Sequence, residues 1–264
     1  QIAVQLEKSK HVFRRILTPT EDADLATGVS RGRLDMGKAM RVEQEPHLLP
    51  EMFIGWKDPI EISHAFGTLI DRSTSMAGDK AAEAYRASVF LAKLFDWERL
   101  KIANAQWVFS DGTYVIKDFK DKIKSLDVQK NLGAVLQVCG GTQDADAIWT
   151  AYCELIKRKE KFKFLPVISD SDSGTLDQLR SVLETIKEEG KVIVVHFGIG
   201  PGTKDKNKVY PYSFGNLSIG GRSERTFAKT LELFVKLAVR YPKRFFDYSN
   251  ADDIIRKIED MMKR

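Results

Sequence analysis

Asp71, Ser73 and Ser75 stand at every second position directly after the apolar run 65–70. A short apolar run closed by a carboxylate predicts a buried strand whose last residue emerges at a sheet edge. In the tight loop that follows, one carboxylate and two hydroxyls can be aimed at a common point. An all-oxygen set of this kind suits a hard divalent cation such as Mg²⁺. The competing account is a plain polar turn between a strand and a helix.

Two further segments repeat this chemistry. Gly140-Gly141-Thr142-Gln143-Asp144 comes just before a predicted helix, and in Ile168-Ser169-Asp170-Ser171-Asp172 an apolar run again ends in a carboxylate. Open α/β sheets bind ligands beyond the carboxyl ends of their strands. Three oxygen-bearing loops leaving that edge therefore point to one shared metal site. Asp144 fits a metal role and a helix N-cap equally well. Asp172 is either a spare ligand or a turn residue.

Such loops need a scaffold, and the hydrophobic pattern supplies one. Strands are predicted at 65–71, 101–109, 113–119, 163–169, 191–198 and 244–248, and helices at 79–96, 144–158, 175–189, 224–240 and 251–263. Asp111-Gly112 joins 101–109 to 113–119 as a hairpin. Strands separated by helices of this length predict an α/β fold: a doubly wound, mostly parallel sheet flanked by helices, with one antiparallel edge strand. Pro166 removes a ladder donor from an interior strand, so a local bulge is expected there. Residues 1–64 read as an N-terminal extension packed on the main domain, 65–264. Ile2, Leu6, Phe13 and Leu17 lie near helical spacing, and Pro19 ends that helix. Residues 201–223, rich in Gly and Lys, read as one long loop.

The order of the three loops resembles the metal-ion-dependent adhesion site (MIDAS) of von Willebrand factor A domains. That resemblance implies a Rossmann-like sheet, with Ser73, Ser75 and Thr142 as direct metal ligands and Asp71 and Asp170 acting mostly through water. It also implies one coordination position left open for a partner's acidic side chain. Within this group, 146–151, Arg158, 167–170 and 197–200 look like the C-terminal domain of the cobaltochelatase T subunit; 32–35 and 250–254 fit the same group. Ser171 stands where that group usually has glycine, and 201–243 is longer than the matching stretch. The resemblance implies a Mg²⁺-dependent protein-binding module, with Mn²⁺ or Ca²⁺ as alternative ions. Its implied partner is an AAA+ ATPase of MoxR or chelatase type, or a protein offering an Asp or Glu to the metal. The module would be an adaptor and not an enzyme. Two alternatives stand beside it: a non-catalytic subunit of a cobalt or magnesium chelatase in tetrapyrrole biosynthesis, and a stand-alone scaffold or adhesion protein.

Composition narrows the classes further. The chain has 264 residues, 43% of them hydrophobic and 30% charged, enough for one large domain with an ample core. A net charge of +5 comes from lysines interspersed with acids, as in 157–161, which argues for a solvated surface and against a nucleic-acid groove. Only Cys139 and Cys153 are present, so no disulfide framework exists and a reducing cytoplasm is expected. No apolar stretch reaches the roughly 18 residues of a membrane helix, and no membrane partner is expected. Beginning at Gln1, the chain reads as a piece of a longer protein.

Several motifs are set aside. The stretch 32–39 nearly forms a P-loop, but Ala39 cannot give Mg²⁺ a hydroxyl. Gly198-Ile199-Gly200-Pro201-Gly202 lacks the dinucleotide-binding spacing and reads as a loop exit. His11, His47, His64 and His196 are dispersed, without zinc-site spacing. No Gly-x-Ser-x-Gly elbow occurs, so serine hydrolysis is not expected.

Overall fold

The computed structural model describes residues 2–17, 25–27, 33–51, 53–56, 63–100, 102–170, 176–200, 209–217, 226–242, 245 and 250–263. They divide into two units, Gln1–Leu17 with Ser63–Arg264, and Thr18–Ile62. The chain begins with α1 (Ile2–Leu17), which buries Leu6, Phe13 and Leu17 at the spacing expected of one helical face. The smaller unit is a three-stranded antiparallel sheet, in which β1 (Leu25–Thr27) and β2 (Arg33–Leu34) flank β3 (Phe53–Trp56). Its short helix α2 (Met36–Ala39) is capped by Asp35, whose Oδ1 accepts from the amides of Gly37 and Lys38 at 3.0 and 3.3 Å. In the near-P-loop stretch, a carboxylate thus already takes two amides that would have faced a phosphate.

The larger unit follows the predicted alternation. In order it runs β4 (His64–Asp71), α3 (Asp79–Phe95), β5 (Ala103–Phe109), β6 (Thr113–Lys117), α4 (Leu126–Leu132) and α5 (Asp144–Ile156). It continues with β7 (Phe162–Ser169), α6 (Leu176–Glu189), β8 (Ile193–Ile199), β9 (Ser213–Leu217), α7 (Phe227–Arg240) and α8 (Ala251–Lys263). The sheet order is β6-β5-β4-β7-β8-β9, with every neighbouring pair parallel except β5 with antiparallel β6 at the edge. This is the doubly wound, mostly parallel architecture that the alternation predicts.

Strand β4 is buried along its whole length, as a central strand covered on both faces must be. On one face Leu69, Trp107, Val167 and Val194 meet Ile148 and Leu155 of α5 and Leu183 and Ile186 of α6. The other face is aromatic. Phe66 stacks on Phe95 of α3 at 4.2 Å and on Phe164 at 4.8 Å, and Phe197 meets Phe227 of α7 at 5.0 Å. Helix α1 packs against α3 and α7, with Phe13 edge-on to Phe95.

Several details differ from the sequence reading. Strand β9 lies within 201–223, which reads as one loop; five residues with two large apolar side chains, Phe214 and Leu217, are too few to show a period. Of the predicted strand 244–248 only Phe245 is described, and it is helical. Pro166 causes no bulge: the pairing of β4 with β7 keeps one offset, Phe66 with Phe164 and Leu69 with Val167. The paired positions simply skip Gly67 and Thr68. Residues 201–208 and 218–223, together with Ser171 and Asp172, lie outside the described residues.

Candidate metal centre

From β4 the chain crosses to β5 on one side and later returns to β7 on the other. Loops leaving β4 and β7 therefore diverge, and a crevice opens at the carboxyl ends of these strands, where such sheets place their ligands. Asp71, the last residue of β4, pairs in register with Phe109 and is 0% exposed. Its Oδ1 accepts the Ser73 amide at 2.7 Å, which bends the chain back at once. Its Oδ2 is buried and has no hydrogen-bond partner among the described residues. Burial raises the Asp71 pKa to about 7 against the opposing pull of its bonds from Ser73, and the negative charges of Asp170 and Asp144 raise it further.

Beside that carboxylate the two hydroxyls converge. Ser73 Oγ lies 3.0 Å from Ser75 Oγ, and Ser75 Oγ donates to Asp170 Oδ1 at 3.2 Å. Adjacent oxygens around an octahedral Mg²⁺, with bonds near 2.1 Å, lie about 3.0 Å apart. The serine hydroxyls, hydrogen-bonded to each other here, already stand at the separation that geometry requires. Among the described residues no group of three or more His, Cys, Asp or Glu is arranged to hold a metal. The donors gathered here are hydroxyls together with carboxylates, which suit a hard ion and not a soft one.

The second loop is tied onto the first. Thr74 bonds to the Gly140 carbonyl through both its hydroxyl, at 2.9 Å, and its amide, at 3.2 Å; the Cys139 amide donates to Arg72 O at 2.9 Å. Asp111 Oδ1 accepts the Gly141 amide at 2.6 Å, and Gln143 N donates to Ser110 O at 3.0 Å. Gly140 has φ +72, and a Cβ there would stand 2.1 Å from Asp111 Oδ2, so this turn requires glycine. The clamp brings half-buried Thr142 to the same sheet edge as Asp71 and Asp170. Asp144 is the first residue of α5, with Gln143 in the N-cap position, so the N-cap reading of Asp144 is off by one residue. It is buried, its Oδ1 accepts the Ala145 amide at 2.9 Å, and its charge bears on Asp71.

Of the five residues singled out by sequence, Asp71 thus ends β4, and Ser73, Ser75, Thr142 and Asp170 lie on loops at that end of the sheet. Sequence reasoning missed what surrounds them. Lys80 Nζ reaches Asp170 Oδ2 at 2.6 Å. Asp111 is legible in the sequence as a hairpin residue, but its clamp on 140–141 spans 30 positions. Behind the site, His196 lies between Ser169 Oγ at 2.9 Å and Ser213 Oγ at 3.0 Å and stacks on Tyr210 at 4.6 Å. Burial lowers the His196 pKa to about 3, outweighing the charge of Asp170, so the ring is neutral. The Tyr210 hydroxyl is buried without a hydrogen-bond partner among the described residues; burial, helped by Asp144 and Asp71, holds it protonated. The only sequence signal for this layer was a histidine in an apolar run.

No protein-family model matches the chain, and no curated protein matches it. Solved structures do resemble it. The manganese-loaded TRAP protein of Plasmodium vivax is 14% identical, with a TM-score of 0.47 over 58% of this chain and 68% of that one. Proximal thread matrix protein 1 from the mussel byssus, with a zinc-occupied MIDAS motif, is 20% identical at a TM-score of 0.49, over 67% of this chain and 46% of its own. The VWA domain of SpRpn10 is 14% identical at a TM-score of 0.44, over 64% of this chain and 95% of that domain. The metals and motifs named there belong to those proteins.

Proposed function

We propose that this chain is a divalent-cation-dependent protein-binding module. Ser73, Ser75 and Thr142 would hold Mg²⁺, or Mn²⁺ or Ca²⁺ in its place, with Asp71 and Asp170 balancing the charge. The observation that carries the reading is Asp71 Oδ2, a buried carboxylate oxygen without a hydrogen-bond partner among the described residues, beside two hydroxyls hydrogen-bonded to each other at 3.0 Å. An unanswered buried charge costs several kcal/mol, and a cation is the ligand that offsets it. When bound, the ion would supply a positive site for a carboxylate oxygen of a partner protein. This chain's own residues hold the donors in place: Asp71 through the Ser73 amide, and the second loop through Thr74 and Asp111.

The partner proposed is an AAA+ ATPase of MoxR or chelatase type, or a client offering an Asp or Glu. That finer assignment rests on the residue pattern of 146–151, Arg158, 167–170 and 197–200. A chelatase subunit role in tetrapyrrole synthesis, or a scaffold without a motor, would keep the same metal chemistry. Among the described residues no helix is long and apolar enough to cross a membrane.

Titration calorimetry with Mg²⁺ and Mn²⁺ tests the site. The expected result is weak one-to-one binding by the native chain and none by Asp71→Ala, with unchanged far-ultraviolet circular dichroism. Equal affinity in the variant would sink the assignment.

A further inference from the structure

Lys80 stands in the first turn of α3, where the helix dipole disfavours a cation. Something else holds it there. Its Nζ lies 2.6 Å from Asp170 Oδ2 and 3.1 Å from the carbonyl oxygen of Ser75, so one ammonium joins the β4 loop to the end of β7. Its stem rests on Gly200, at the exit of β8. There φ is +98, and a Cβ would come within 3.2 Å of Lys80 Cε. Three strand ends thus position one side chain. The Asp170 carboxylate is 4% exposed, while the lysine retains 34%. Its other oxygen takes the Ser75 hydroxyl, so Asp170 is shared between the fixed ammonium and the hydroxyl pair.

We infer that Lys80 is the resident counter-cation of the metal site and that it sets the site's affinity for divalent ions. The inference rests on the function proposed above. A fixed positive charge paired to Asp170 does two things to an incoming dication: it repels the ion, and it competes for the carboxylate that would balance the ion's charge. Both lower the affinity. An arriving partner carboxylate brings the missing negative charge, so cation and partner favour each other's binding. The exit glycine, which resembles a nucleotide motif in sequence, finds its use here as a platform for the lysine stem.

The test compares Lys80→Met, Lys80→Gln and Lys80→Arg with the native chain, using Mn²⁺ alone in calorimetry and thermal melts with and without the ion. Met and Gln keep the unbranched stem and lose the charge. Each should bind Mn²⁺ about tenfold tighter or more. Without metal each should melt below the native chain, because Asp170 loses the ammonium while keeping the Ser75 hydroxyl, and Mn²⁺ should raise the melting temperature by more than it does in the native chain. Arg keeps the charge and should stay within about threefold of native affinity. Unchanged or weaker Mn²⁺ binding in both neutral variants, with Asp71→Ala still abolishing it, would overturn the role of Lys80 and leave the metal site standing. Mn²⁺ affinity that survives Asp71→Ala would instead overturn the site itself.

Discussion

Helix α3 carries an ion pair at each end, and the two ends are built on different terms. At its amino end Lys80 meets Asp170; at its carboxyl end the C-cap residue Asp96 meets Lys117 at 3.3 Å. Both charges on the helix oppose its dipole, so both pairs must be maintained by tertiary contacts. At the carboxyl end every charged atom is answered. Lys117, 1% exposed, also donates to Asn104 O and Asp118 O, and the two oxygens of Asp96 accept from Asn104 Nδ2 and the Ile123 amide. Burial pulls the Lys117 pKa down, and Asp96 pulls it back up. At the amino end the same kind of pair sits beside Asp71 Oδ2, which is answered by nothing described. A buried charge closed by its neighbours holds the fold together; one left open invites a ligand.

The largest expected effect separates the two ends. Asp96→Ala leaves Lys117 buried and unpaired and should cost about 3–5 kcal/mol of stability, with the Mn²⁺ response intact. Asp71→Asn removes an unanswered charge and keeps the Ser73 turn. At pH 8 and without metal it should leave stability unchanged or raise it by about 1–3 kcal/mol, and the Mn²⁺ response should vanish. Urea denaturation with and without Mn²⁺ reads both. Losses of similar size in the two variants would erase the distinction.

A smaller effect lies in the pH dependence. Asp71 has a raised folded pKa, so its contribution is present at low pH and is lost as pH climbs through about 7. His196 runs the other way: with its folded pKa lowered to about 3, its contribution is present above 6.5 and is lost as pH falls from there. Between about pH 4 and 6.5 the two slopes, each about 1.4 kcal/mol per pH unit, oppose one another. In EDTA, Asp71→Asn should therefore lose stability with acid more steeply than the native chain, by about that slope. Parallel curves would show that Asp71 is not held in the state its burial implies.

The smallest effect concerns the clamped loop. Thr142→Ala removes one neutral donor from a half-buried position and should weaken Mn²⁺ binding by about 1 kcal/mol, far less than Asp71→Ala, with no change in urea midpoint. A loss as complete as that of Asp71→Ala would mean the threonine loop dominates the site.

Much of this molecule could be read residue by residue along the chain. The run 65–70 ending in Asp71-x-Ser73-x-Ser75 encodes a buried central strand and its oxygen-bearing loop, because burial pattern and ligand spacing are properties of neighbours two positions apart. The same local logic announced α5 after its loop and β7 before Asp170. It could not reveal β9, whose five residues are too few to carry a period, or the small sheet in Thr18–Ile62, whose strands run two to four residues. Nor could it announce that Lys80 would meet Asp170 across 90 positions, or that Asp111 would make Gly140 indispensable. Whether a buried oxygen is answered depends on every chain segment that packs around it. Sequence determined that Asp71 would end a buried strand; only the closing of the sheet decided that its Oδ2 would find no hydrogen-bond partner among the described residues.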